Sequence, residues 1–158
     1  TDNANEAEAR PLFEEAMDEI RGKVPRDFWY LADALEQMFN GLASSDTNMV
    51  IEAMRILDQN EASGDLENSF TLARYLIWTG KYEEGIEVVE RFVSGNRETV
   101  SGWFYPAINY YLGVAYEELG NKEQAVAYYQ EMLRFWSEPE IELEIISDAR
   151  ERLTRLTS

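Results

Sequence analysis

The chain has no cysteine and no histidine. Without cysteine there is neither a disulfide framework nor a thiol nucleophile, and the compartment stays open between cytoplasm and periplasm. Without histidine the commonest metal ligand and the commonest general base at neutral pH are missing. Ser-His, Cys-His and zinc-hydrolase arrangements are therefore excluded within the chain. Basic residues are scarce, with 14 Lys and Arg against 31 Asp and Glu and a net charge of −17. Such a surface repels phosphate backbones and anionic headgroups, so neither nucleic acid nor a membrane surface is an expected partner. The longest apolar runs fall far short of the roughly 18 to 20 residues a membrane span needs.

Other chemical signatures fail on inspection. There is no G-x-S-x-G elbow, no G-x-x-x-x-G-K-[ST] phosphate loop and no H-E-x-x-H. The acidic pairs Glu14-Glu15, Glu83-Glu84 and Glu117-Glu118 are neighbours, and on a helix neighbours point about 100° apart and do not converge. Asp58 to Ser69 has the look of a calcium loop, but its sixth and twelfth positions are Ser63 and Ser69. A calcium loop needs Gly and Glu there. The reading is a protein that is not an enzyme and holds no cofactor or metal.

What is present is helical periodicity. Hydrophobic residues make up 45% of 158 positions, enough for a sizeable core. Leu12, Phe13, Ala16, Met17 and Ile20 form one stripe, ended by Pro25. Phe28, Leu31, Ala32, Leu35, Phe39 and Leu42 form a second. Ser44-Ser45-Asp46 offers cap oxygens to a third helix with Val50, Ala53, Met54 and Leu57. Two more follow, with Phe70, Ala73, Leu76 and Ile77 closing at Gly80, then Ile86, Val89 and Val93. Ser94 to Gly102 reads as a long loop. Beyond it, Ile108, Leu112, Ala115 and Leu119 close at Gly120, and Ala125, Tyr129, Met132 and Trp136 make a seventh helix. Ser137 to Glu140 has capping-box spacing for an eighth, carrying Ile141, Ile145, Ala149, Leu153 and Leu156. The fold class is all-α, with about eight helices in antiparallel hairpins.

The hairpins repeat. Leu72 to Phe92 aligns with Leu112 to Met132, with Gly80 and Gly120 eight residues after each Leu, small residues at Gly85 and Ala125, and larger ones at Val89 and Tyr129. Close helix crossing explains the small residue. The second copy resembles the tetratricopeptide repeat, whose pattern sets Trp, Leu-Gly, Tyr, Ala, an aromatic and Pro at fixed offsets. Leu112, Gly113, Tyr116, Ala125 and Tyr129 match it. Asn109 stands at the Trp position, Met132 at a late Ala, and the Pro comes late, at Pro139. Residues 28–62 read as a degenerate copy with Ala53 and Leu57 in the small and large slots.

The resemblance implies hairpins stacked as a right-handed superhelix: a linker over 1–8, one domain over 9–158, the clearest repeats at 66–136, and a capping helix at 138–157 as in bacterial members. The chain opens at Thr1 without a leader pattern and reads as a piece of a longer polypeptide or a processed product. The implied function is a non-catalytic scaffold that binds a protein or peptide in a concave groove. First helices of hairpins line that groove, which places Phe70, Arg74, Trp78, Tyr110, Val114 and Glu117 at the partner. An aromatic and acidic groove suits a basic or apolar segment, and the Trp and Tyr clusters equally suit self-association into a homo-oligomer. Two alternatives stand beside it: a regulatory or sensor domain of a larger signalling or secreted enzyme, and a carboxylate-lined small-molecule pocket. Tyr116 and Tyr129 fill packing positions.

Overall fold

The computed structural model describes residues 2–60, 66–95, 104–136 and 143–158. These form eight α-helices and a short 3₁₀ turn, Arg26–Phe28, with no strand among the described residues. The chain divides into two compact units, Thr1–Asn68 and Ser69–Ser158, where the sequence reading has one domain over 9–158.

In the first unit α1 spans Asp2–Lys23, α2 Trp29–Ala43 and α3 Thr47–Asn60. The segment read as a linker over 1–8 is helical from Asp2, in keeping with its Ala- and Glu-rich composition. Helix α1 docks on α2 through Phe13, stacked on Phe39 at 4.4 Å. It is pinned by Arg21, whose guanidinium donates to Glu36 and Asp33 at 2.7 and 2.8 Å. Ala32, Ala34, Val50, Ile51 and Ala53 are buried. The outer stripe residues Phe28 and Leu42 are exposed.

In the second unit most of α4 (Leu66–Trp78) is followed by α5 (Tyr82–Gly95), α6 (Phe104–Glu118), α7 (Lys122–Phe135) and α8 (Glu144–Thr157). The loop read at Ser94–Gly102 lies largely outside the described residues, as does the capping box at Ser137–Glu140. Helix α8 starts instead at Glu144, with no side-chain cap on Leu143.

One turn recurs in three hairpins. After α2, Ser45 N and Asp46 N donate to Leu42 O and Gly41 O at 3.2 and 2.7 Å. After α4, Gly80 N and Lys81 N donate to Ile77 O and Leu76 O. After α6, Gly120 N and Asn121 N donate to Glu117 O and Tyr116 O. Each is the paired-bond helix stop around a left-handed residue, with φ of +56° at Ser45, +83° at Gly80 and +76° at Gly120. Five residues after that residue stand Val50, Gly85 and Ala125, and nine after it Met54, Val89 and Tyr129. The degenerate first copy therefore carries Val50 and Met54 in the slots read as Ala53 and Leu57. Its close approach is moved to the other helix. A Cβ on Gly41 of α2 would meet Val50 at 2.8 Å, whereas in the next hairpin a Cβ on Gly85 would meet Ile77 at 2.6 Å.

Candidate functional site

Helix α6 distributes its residues among α4, α5, α7 and α8. Tyr110, Val114 and Glu117 recur at helical spacing along one edge and meet α8. The Tyr110 hydroxyl donates to Asp148 at 2.7 Å. Val114 packs against the buried cluster of Ala125, Tyr129, Met132, Ile146 and Ala149. Glu117 accepts from Tyr129 at 2.9 Å, Arg152 at 3.0 Å and Arg155 at 2.6 Å. Arg152 also donates to Asp148, so two arginines and two acids alternate across the α6–α8 seam. Helix α8 therefore covers the edge on which three of the six residues read as partner contacts lie.

The electrostatics follow from that geometry. Burial alone would raise the Glu117 carboxyl, but the hydrogen bonds from Arg155, Tyr129 and Arg152 outweigh it and hold the group below its ordinary value. Burial first, then the facing carboxylates, push the phenols of Tyr110 and Tyr129 well up. Both stay protonated donors at neutral pH.

The other three predicted contacts stand together on α4. Phe70 is buried, meets Tyr111 edge-on at 5.7 Å, and carries the Arg74 guanidinium 6.0 Å above its ring. Trp78 is 77% exposed and tilts on Tyr75 at 5.6 Å. Arg74, Tyr75, Trp78 and Tyr111 line an open cleft of about 290 Å³. Arg74 makes no ion pair among the described residues. Sequence reasoning missed Tyr75, whose place one helical turn before Trp78 was the available signal.

A larger hollow was missed altogether. It lies between α5, α6 and α7, measures about 500 Å³, and is lined in part by Asn109 and Tyr128. Among the described residues no group of three acids is placed to hold a metal ion, and no helix is long and apolar enough to cross a membrane.

Comparison with known proteins agrees with the geometry. The family model of the tetratricopeptide repeat matches residues 106–135, the α6–α7 hairpin. No curated protein and no solved structure matches the chain. The matched hairpin, the recurring turn and the all-helical architecture together make the chain similar to tetratricopeptide-repeat proteins, with the repeat itself matched over residues 106–135.

Proposed function

We propose that the chain is a helical-repeat scaffold that binds a polypeptide at the α4–α6 cleft, with no chemistry of its own. The observation that carries this is the pairing of Trp78, largely exposed, with Arg74, a cation that makes no ion pair among the described residues. An exposed tryptophan beside an arginine is the composition of a binding hot spot. Here the charge argument reverses the sequence reading. Glu117, the groove acid that was to draw a basic segment, is already bonded to two arginines of α8. Among the described residues the charged side chain lining the open cleft is Arg74, so the favoured partner segment sets an apolar side chain on Trp78 and a carboxylate on Arg74. Helix α8 packs on α7 through Ile146 and Ala149 against Ala125, Tyr129 and Met132, which supports reading it as a capping helix of the 106–135 repeat.

Selection from a random peptide library displayed on phage tests this. Enrichment of acidic-apolar peptides that are lost to Arg74→Glu and to Trp78→Ala supports the reading. Enrichment of basic peptides, or retention by both variants, overturns it.

A further inference from the structure

The hollow between α5, α6 and α7 lies where the repeat pattern calls for tryptophan. That pattern places Trp three residues before the Leu-Gly pair, and here the pair is Leu112-Gly113 and the residue Asn109. Asn109 is 5% exposed and lines the hollow. Its amide nitrogen donates to Tyr105 O at 2.7 Å. A short amide in place of an indole leaves the space between the helices unfilled. At about 500 Å³ the hollow falls within the usual size range of small-molecule sites.

Its chemistry is one-sided. Val89, Val93, Ile108 and Leu112 make an apolar floor, and the rings of Tyr105 and Tyr128 stand beside it. Tyr128 is held by parallel stacking on Tyr116 at 5.5 Å. The Tyr105 hydroxyl is engaged by Glu131 at 3.2 Å, while the Tyr128 hydroxyl makes no hydrogen bond among the described residues. Glu90 lines the hollow from the solvent side, with neither hydrogen bond nor ion pair among the described residues. Among the described residues no Lys or Arg lines the hollow. A carboxylate with no partner among the described residues and aromatic faces over an apolar floor attract a cation and repel an anion.

We propose that this hollow is a binding site for a small amphipathic cation, a primary amine on an apolar stem. The stem lies on Val89, Val93 and Leu112, and the ammonium stays at the rim against Glu90 and the tyrosine faces, where it need not be fully desolvated. The site is separate from the α4–α6 cleft, so either can fail without the other.

Amide NMR of ¹⁵N-labelled protein titrated with n-hexylammonium, 1-hexanol and hexanoate tests it. The expected result is millimolar binding of hexylammonium, with shifts centred on residues 89–94, 105–112 and 128, weaker binding of hexanol and none of hexanoate. Glu90→Gln, at an exposed position that leaves the fold intact, is expected to weaken the amine about threefold, in the range of one exposed charge pair, and to leave hexanol unchanged. Asn109→Trp is expected to fill the hollow and abolish all three responses while the melting temperature holds or rises. Absence of shifts, equal binding of hexanoate, or an amine affinity untouched by Glu90→Gln overturns the proposal. Should Asn109→Trp fail to fold, the Glu90→Gln comparison decides alone.

Discussion

The Tyr129 phenol donates to Glu117 at 2.9 Å, and the same carboxylate receives Arg152 and Arg155 from α8. A residue at the aromatic position of the repeat is thereby tied to the helix that follows the repeat. Tyr129 is fully buried and Glu117 nearly so, with 13% of its side chain exposed. Glu117→Gln leaves the shape and removes the charge from this junction. It is expected to cost about 1.5 to 3 kcal/mol, the usual worth of hydrogen bonds to a charged group. Tyr129→Phe removes one of the three donors to that carboxylate and leaves both arginines in place, so it should cost less, about 1.5 kcal/mol. Urea denaturation of both variants measures the difference, and equal losses would show that the charge is idle.

The same junction sets an acid limit. Glu117 is held below its ordinary 4.5, and so is Glu36, which accepts from Arg21. A carboxylate lowered by folding contributes stability that is fully present above the unfolded value and is lost as pH falls through the folded one. Stability should therefore be flat from pH 7 down to about 5 and decline below about 4.5. In Glu117→Gln the decline should be shallower. Melting temperatures taken from pH 7 to 3 check this, and parallel curves for wild type and variant would exclude Glu117 as a contributor.

Much of this was legible in residue spacing. Gly80 and Gly120 mark their turns openly because only glycine adopts positive φ freely, and so the second and third hairpins could be aligned. The first hairpin makes the same turn with Ser45, which no spacing rule flags, and its slots were read three residues late. The site was harder. Helical periodicity puts Tyr110, Val114 and Glu117 on one edge but does not say whether solvent or another helix faces it. The hollow at Asn109 was visible only as a departure from the repeat pattern.

Ser45 offers a direct check on the shared turn. A non-glycine residue at φ +56° is strained, and the backbone bonds of Ser45 and Asp46 do not depend on the Ser45 side chain. Ser45→Gly is expected to raise stability by about 0.5 to 1 kcal/mol. Gly120→Ala, at φ +76° with nothing within 4 Å of the new methyl group, is expected to lower it by about 1 kcal/mol through strain alone. Opposite signs in thermal melts support one turn shared by both hairpins.

Gly113 separates crowding from strain. Its helix is regular, yet a Cβ there would lie 2.6 and 2.7 Å from two ring carbons of Tyr129. Those atoms belong to a rigid ring in the core and cannot swing aside as a flexible chain end does. Gly113→Ala should therefore destabilise by about 1 to 3 kcal/mol, although alanine is the better helix former. A smaller partner should relieve the clash: Tyr129→Leu destabilises on its own by leaving a cavity, but in its background Gly113→Ala should cost little or nothing. Full additivity in that double-mutant cycle would mean that the two residues do not share this space. Strong coupling would place the packing of the α6–α7 crossing, and with it the Glu117 junction to α8, on the contact between Gly113 and Tyr129.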